Sequence, residues 1–220
     1  MTRLMKDPDF RAAQHARAFT DPHIRPINEF IDGLRDRDGR GWAPYVAPHH
    51  GGVDAEILSI LRDPGPKAHF EKGSGFLSVE NDDVTAERQC TLFAANGIPS
   101  RVVLPWNGYP WYINAAPDKE QSLAGARVIR ELLHQLAAVR IVLLQGNDAQ
   151  RIWDLVVEEE PDIVSASGVS VHKTIHPSPQ ALFHRDPEVR STRRKKQEDT
   201  YADIGALLAA HRDPTTGVEG

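Results

Sequence analysis

Residues 57–65 read ILSILRDPG, and this stretch decides the fold class of the chain. Its first five residues are apolar except for one serine, and they run directly into a charged pair and a Pro-Gly turn. A nearly continuous apolar run with this ending is typical of an inner strand of a parallel sheet. Ligands of open parallel sheets bind just beyond the carboxyl ends of the strands. Asp63 is therefore predicted to lie where chemistry is usually done.

Three later segments have the same strand character, and each ends in polar or turn-forming residues. They are residues 101–104, which precede Asn107; residues 140–144, which precede Gln145-Gly146-Asn147; and residues 169–175, which precede His176. Helical patterns over residues 84–96, 122–139, 147–158 and 187–211 separate or follow these strands. This alternation predicts an α/β protein whose parallel sheet is covered by helices on both faces. The four strand ends then share one edge and line one cleft.

Composition narrows the class of protein. A chain of 220 residues with 40% hydrophobic and 26% charged residues predicts one globular domain with ordinary burial. One cysteine allows neither an internal disulfide nor a cysteine-ligated zinc or iron–sulfur site. We find no apolar run of membrane-spanning length and no apolar core in the opening residues MTRLMKDPDF, so we expect a cytoplasmic protein.

The ends of the chain differ from its centre. Three prolines interrupt the charged residues 1–26, which we interpret as a lid, an arm or a frayed terminus. Residues 26–34 have the spacing of a short amphipathic helix. We therefore divide the chain into an N-terminal arm with a short helix (1–41), one α/β domain (42–212) and a tail (213–220).

Asp63 and His176 are the candidate catalytic residues. A carboxylate at the rim of a sheet can serve as a general base or as the counter-charge to a cationic transition state, but it can equally cap a helix or a turn. An imidazole held by the Pro-rich HPSP segment can donate a hydrogen bond to a developing oxyanion, or it can simply be packed. His172 and His176 lie about 13 Å apart along an extended strand, so we expect no shared metal ion.

Other features indicate a ligand that carries a base and phosphates. Asn107 offers the donor and acceptor that match a pyrimidine edge, although Asn before Gly is also a common turn residue. The Gln145-Gly146-Asn147 turn is a weak candidate for an anion site. The net charge of −5 does not indicate nucleic-acid binding, but residues 185–196 are strongly basic, and Ser178 lies just before them. Aromatic side chains that could stack on a base are Phe76, Trp106, Tyr109, Trp111 and Tyr112.

LRDPG, LPWN and HPSP, in this order and each at a predicted strand end, resemble motifs of the uracil-DNA glycosylase superfamily. The likeness covers about residues 42–211. It implies a three-layer α/β/α sandwich with a central four-stranded, mostly parallel sheet. It also implies hydrolysis of the N-glycosidic bond of a base flipped out of DNA, with DNA as partner, no cofactor, no metal, no membrane and a monomeric enzyme.

The resemblance also implies roles for individual residues. Asp63 would activate water and stabilise an oxocarbenium-like sugar, and His176 would stabilise charge on a carbonyl oxygen of the departing base. The substrate-binding residues would be Arg62, Gly65, Phe76 or Leu77 as the stacking side chain, and Asn107 as the reader of the base edge. The DNA-binding residues would be Pro177, Ser178, Pro179, Gln180 or Leu182 as the wedge that fills the vacated stack, and the basic Arg185.

Two positions depart from the best-known branch of that superfamily. Arg62 stands where that branch has Gln, and Gly65 stands where it has a Tyr that excludes the methyl group of thymine. We therefore expect a glycosylase for uracil or a related altered pyrimidine, and we keep a glycosylase for another modified base as the alternative. A catalytically silent nucleic-acid-binding protein and a hydrolase of small nucleosides are the other two hypotheses.

Overall fold

The computed structural model of the protein describes residues 3–212, and the predicted tail of residues 213–220 lies outside the described residues. Six strands and eight α-helices alternate along this part of the chain. In chain order they are α1 (Pro8–Arg17), α2 (Arg25–Leu34), β1 (Tyr45–Val46), β2 (Ile57–Leu61), β3 (Phe76–Leu77), α3 (Val84–Ala95), β4 (Val103–Asn107), α4 (Lys119–Leu133), β5 (Ile141–Gln145), α5 (Asn147–Glu159), α6 (Ile163–Ser167), β6 (Ser170–Thr174), α7 (Pro179–Leu182) and α8 (Pro187–Arg212).

The central sheet has four strands in the order β4-β2-β5-β6, and every neighbouring pair is parallel. One face of the sheet packs against α2, α4 and α5, and the other packs against α3 and α8. Side chains alternate between these two cores, so Leu58 and Ile60 join the first core while Ile57 joins the second. The predicted α/β fold, a three-layer sandwich around a parallel four-stranded sheet, is confirmed. β1 and β3 form a separate two-stranded parallel sheet.

The predicted bounds of two elements were wrong. β4 does not cover residues 101–104, because Ser100–Val102 forms a 3₁₀ turn and the strand continues through Pro105 to Asn107. A proline is tolerated there because β4 lies at the edge of the sheet. α4 covers Lys119–Leu133 rather than residues 122–139, because Asp118 and Gln121 form a capping box at its start.

Residues 3–26 are better ordered than their sequence suggested. Asp7 accepts hydrogen bonds from the backbone N–H groups of Asp9 and Phe10, and with Pro8 in the first turn it begins α1. Met5 and Ala18 pack with Ala47 and Phe76 in a small third core. The predicted amphipathic helix at residues 26–34 is present as α2, whose apolar side chains join the main core. The division of the chain at residue 41 stays a prediction.

The long last helix begins as predicted. Asp186 accepts a hydrogen bond from the backbone N–H of Glu188 at 2.8 Å, and Pro187 is the first residue of α8. Only four of its residues are buried, and these are Gln197, Tyr201, Ile204 and Leu208. Within residues 3–212 no helix is both long enough and apolar enough to cross a bilayer.

Candidate active site at the carboxyl edge of the sheet

A cleft of about 860 Å³ opens at the carboxyl edge of the sheet, on the side of α3. It lies there because the parallel register brings the ends of β2, β4, β5 and β6 together, with Leu61 opposite Asn107 and Gln145 opposite Thr174. The predicted site residues that line this cleft are Arg62, Asp63, Gly65, Leu77, Asn107, His176, Ser178 and Gln180. Those that do not line it are Phe76, Pro177, Pro179, Leu182 and Arg185.

Asp63 presents a nearly buried carboxylate to the cleft, with only 4% of its side chain exposed. Its Oδ1 accepts a hydrogen bond from Nε of Arg62 at 2.6 Å. Its Oδ2 is buried and makes no hydrogen bond of normal geometry, although the backbone amides of Asn114 and Ala115 lie close enough to the carboxylate to affect its pKa. Burial raises the pKa of Asp63 above its usual value, while the Arg62 guanidinium and the backbone amides of Asn114 and Ala115 oppose this rise. A buried, unpaired carboxylate oxygen in a cleft is costly unless a ligand supplies its partner.

The neutral imidazole of His176 carries its proton on Nε2, the ring nitrogen that can donate a hydrogen bond to a ligand. The backbone N–H of Ser178 donates to Nδ1 of His176 at 3.1 Å, so Nδ1 is unprotonated and the neutral ring holds its proton on Nε2. Burial and the nearby Arg62 cation lower the pKa of His176 to about 4, although Asp148 acts in the opposite direction. The imidazole is therefore neutral at physiological pH and offers one N–H donor to the cleft.

Asn107 ends β4 and lines the cleft, and only 2% of the residue is exposed to solvent. Its Oδ1 is buried and has no hydrogen-bond partner. This unpaired acceptor requires a donor that the protein itself does not provide. Asp63 and Asn107 thus each hold one unsatisfied oxygen in the site that His176 also lines.

A buried polar network that the sequence analysis missed lies beside these residues. Nε2 of Gln145 donates to Oγ of Ser59 at 2.9 Å and to Oε1 of Gln89 at 2.8 Å, and Oε1 of Gln145 accepts from the hydroxyl of Tyr201 at 2.7 Å. Ser59, Gln89 and Gln145 all line the cleft. A serine inside an otherwise apolar strand was the available signal for this network. Its satisfied hydrogen bonds fix the floor of the cleft.

Removing the Tyr201 hydroxyl should destabilise the protein. A Tyr201→Phe variant leaves Oε1 of Gln145 buried without a partner, which should lower the free energy of unfolding by about 1–3 kcal/mol. Urea denaturation measures this change. Tyr112→Phe, at a partly exposed tyrosine whose hydroxyl has no partner in the described chain, is the matched control and should leave the midpoint unchanged. Equal midpoints for both variants would contradict a structural role of the network.

The buried His50 and the partly buried His49 hold the wall of the cleft formed by residues 77–81. Nε2 of His49 lies 2.8 Å from Oγ of Ser78, and the backbone N–H of Val79 donates to Nε2 of His50 at 3.3 Å. Burial lowers the pKa of His49 to about 4, so this imidazole is neutral in the folded protein. The PHHGG segment therefore positions the wall and does not face the ligand.

The proposed stacking role of Phe76 was wrong, because its side chain is fully buried against the N-terminal helix. Its ring lies 4.5 Å from that of His15, and its partners are the residues of the third core. Successive residues of a strand face opposite ways, and therefore Leu77 faces the cleft instead. Tyr109 and Trp111 were also misassigned as cleft aromatics, since both are buried in the main core.

The turn after β5 does not form an anion site. The backbone N–H of Gly146 donates to the carbonyl of Thr174 at 2.9 Å, and the Asp148 carboxylate occupies the first turn of α5. Both features disfavour an anion at this helix start. No group of three or more His, Cys, Asp or Glu side chains is arranged to hold a metal ion within residues 3–212.

The segment after His176 forms one side of a second groove of about 530 Å³ that adjoins the cleft at Val84. Pro177, Pro179 and Leu182 line this groove. Leu182 is only 9% exposed, so its predicted role as a projecting wedge was wrong. Phe183 is 63% exposed and is the apolar side chain that projects there. The sequence signal for this role was that Phe183 is the one phenylalanine in residues 176–187, HPSPQALFHRDP.

Two arginines of the basic cluster shape this segment from α8. Arg193 donates to the backbone carbonyls of Ala181 and Phe183 at 3.0 and 2.7 Å. Arg190 donates to the carbonyl of His184 at 2.6 Å. Arg185 and Arg194 are exposed and have no ion-pair partner within residues 3–212, so their charges remain free for an anionic ligand.

The cleft therefore combines the carboxylate of Asp63, the neutral imidazole of His176 and the amide of Asn107, each with a hydrogen-bonding atom that has no partner in the described residues. The exposed ring of Phe183 and the two arginines without an ion pair, Arg185 and Arg194, belong to the adjoining segment. Such an arrangement can bind a polar planar ring, stabilise positive charge near Asp63 and receive negative charge near His176. No family model matches the chain, and no curated protein is detectably similar to it.

Proposed function

We propose that the protein is a DNA glycosylase that hydrolyses the N-glycosidic bond of uracil, or of a related altered pyrimidine, after the nucleotide is flipped out of DNA. The observation that carries this proposal is the pair of buried, unpaired oxygens, Oδ2 of Asp63 and Oδ1 of Asn107, in the cleft that His176 lines. The resemblance of LRDPG, LPWN and HPSP to the uracil-DNA glycosylase superfamily supports the same reaction.

Asp63 and His176 act on the two fragments of the breaking bond. As the bond between C1′ and the base nitrogen breaks, its electron pair leaves with the base and the sugar becomes oxocarbenium-like. The Asp63 carboxylate stabilises that cation and accepts a proton from the water that attacks C1′. The Nε2–H group of the neutral His176 donates a hydrogen bond to the base oxygen on which negative charge develops. The products are a free base and an abasic site.

Asn107 selects the base by its edge. Its unpaired Oδ1 requires a donor, which the ring N–H of uracil supplies, while its Nδ2 group can donate to the adjacent carbonyl. A base that lacks this N–H leaves the acceptor buried and unpaired, which costs about 1–3 kcal/mol.

Gly65 favours a second candidate, a glycosylase for a pyrimidine with a substituent on its ring. A Cβ atom placed on Gly65 meets no other atom within 4 Å, so the cleft has open space at this position. Glycine carries no side chain, and therefore nothing at this residue blocks a methyl or larger group. The test of function must include substituted pyrimidines beside uracil.

The segment after His176 makes the contacts with the part of the DNA that lies outside the cleft. The backbone around Ser178 approaches phosphates, Arg185 and Arg194 supply charge, and Phe183 or Gln180 fills the space that the flipped nucleotide leaves. The exposed ring of Phe183 replaces Leu182 as the apolar candidate for this wedge.

Abasic-site formation on oligonucleotides tests the proposal. Single-stranded and duplex oligonucleotides that contain uracil, or one of a panel of substituted uracils, are incubated with the protein and then cleaved with alkali. Strand cleavage of at least one of them supports a glycosylase. Binding without cleavage of any altered base would instead indicate a silent nucleic-acid-binding protein, and release of base only from free nucleosides would indicate a nucleoside hydrolase.

We expect Arg62 to determine the lowest pH at which the protein is active. Its cation lowers the pKa of both Asp63 and His176, so an Arg62→Ala substitution raises both values. Activity needs an ionised carboxylate and a neutral imidazole, and both are lost on protonation. The acid limb of the kcat/KM profile should therefore move to higher pH in Arg62→Ala and stay near the wild-type position in Arg62→Lys. An unmoved limb in Arg62→Ala would show that Arg62 does not tune the site.

A further inference from the structure

Four aromatic rings from three separate loops form a cluster at the protein surface. The cluster consists of Trp42, His69, Phe70 and Tyr112. Trp42 and His69 each contact the other three rings, with centroids between 4.6 and 6.4 Å apart, and the rings of His69 and Phe70 are stacked at 4.8 Å. Phe70 is 62% exposed, and the other three rings are partly exposed. We call this cluster the aromatic platform. The catalytic scheme above uses none of its members.

The aromatic platform lies beside the mouth of the cleft, on the side of Asp63. Lys67 and Ala68, which directly precede His69, line the cleft. Asn114, two residues after Tyr112, also lines the cleft, and its backbone N–H is one of the amides that face Asp63. The loops are fastened together because the backbone N–H of Tyr112 donates to the carbonyl of Trp42 at 3.0 Å.

The residues that flank His69 and Phe70 are two lysines and one exposed glutamate, Glu71, so the net charge of this segment is positive. Lys67 and Lys72 flank His69 and Phe70, and both are exposed without an ion pair in the part of the chain that the structure describes. Exposed rings next to unpaired cations are how proteins hold single-stranded nucleic acid, since bases stack on the rings and phosphates meet the cations. A duplex keeps its bases stacked on one another and cannot offer their faces to the platform.

We propose that the aromatic platform binds the unpaired bases of single-stranded DNA that flank the nucleotide in the cleft. This inference rests on the proposed function and gives it a strand preference. Phe70 is the outermost stacking ring, and Trp42 supports it and reports on it. Lys67 and Lys72 neutralise the phosphates between the stacked bases.

Tryptophan fluorescence offers a direct readout of the platform. Of the four tryptophans, Trp106, Trp111 and Trp153 are 1–3% exposed, and only Trp42 is accessible to a base. Titration with an unmodified oligothymidylate of about twelve nucleotides should quench the emission, and Trp42→Phe should abolish the quenching. The oligothymidylate contains no uracil, so the measurement does not depend on excision.

Fluorescence anisotropy with a labelled oligothymidylate measures the contribution of Phe70. Phe70→Ala should weaken binding about tenfold, whereas Phe19→Ala, at an exposed phenylalanine that packs against Tyr45, should not change it. A duplex of the same length should bind without quenching Trp42. Unchanged affinity of Phe70→Ala, or equal quenching by duplex and single strand, would overturn the proposal.

The proposed function and this inference fail in different measurements. If the platform binds no DNA, uracil excision from short oligonucleotides still proceeds with the wild-type pH dependence while the quenching is absent. If the protein is not a glycosylase, excision is absent while the oligothymidylate still quenches Trp42.

Discussion

Replacing Asp63 by asparagine is expected to lower the single-turnover rate of uracil excision about a thousandfold. Asparagine has the shape of the aspartate but cannot neutralise an oxocarbenium-like sugar or accept a proton from water. The effect is large because Asp63 contributes a nearly buried negative charge, in a site where solvent does little to screen it. Gel analysis of alkali-cleaved product over time measures the rate.

The control for Asp63→Asn is Asp162→Asn, at an exposed aspartate whose side chain has no hydrogen-bond partner in the described residues. This control should excise uracil at the wild-type rate. The thermal midpoint of Asp63→Asn should stay close to that of the wild type, since the Arg62 guanidinium is 37% exposed and remains solvated. An Asp63→Asn protein that is folded and fully active would remove Asp63 from the mechanism.

Replacing His176 by asparagine should slow excision about a hundredfold. The asparagine Oδ1 can take the place of Nδ1 as acceptor for the backbone N–H of Ser178, so the HPSP segment keeps its local hydrogen bond. The substitution nevertheless removes the Nε2–H donor that faces the cleft. The measured quantity is again the single-turnover rate, at a protein concentration that saturates the oligonucleotide.

His176→Gln is the matched variant, because the longer side chain can place an N–H group near the position of Nε2. Its rate should lie between those of His176→Asn and the wild type. His211→Ala, at an exposed histidine near the end of α8, should behave as the wild type. Equal losses in the Asn and Gln variants would indicate that His176 acts by packing and not as a hydrogen-bond donor.

The sheet and the cleft at its carboxyl edge were predictable because they depend on local patterns. The apolar runs of β2 and β5 predicted buried parallel strands, and parallel strands place their ends together. That geometric rule brought Asp63, Asn107 and His176 to one cleft although they are far apart in the sequence.

The errors arose where tertiary packing decides between equivalent local choices. β3 has only two residues, which is too short for its alternation to show whether Phe76 or Leu77 faces the cleft. Leu182 and Phe183 are adjacent apolar residues, and their burial depends on the hydrogen bonds that Arg193, on the following helix α8, donates to the carbonyls of Ala181 and Phe183. The first helix was missed because its buried face includes Gln14, so its apolar periodicity is weak.

The aromatic platform could not be predicted for a related reason. Trp42, Phe70 and Tyr112 belong to irregular loops, for which no periodicity indicates direction. Only the folded chain brings these loops to one corner of the cleft. Of the five aromatic residues chosen from the sequence, only Tyr112 belongs to the platform, whereas Phe76, Trp106, Tyr109 and Trp111 are buried.

The measurement that tests the central claim most directly is a crystal structure of the Asp63→Asn protein bound to a single-stranded oligonucleotide with one uracil. We predict the flipped base in the cleft, with Oδ1 of Asn107 accepting a hydrogen bond from its ring N–H and Nε2 of His176 donating to a carbonyl oxygen. The sugar should lie next to residue 63. A uracil bound outside this cleft, or inside it without contact to Asn107 and His176, would contradict the account.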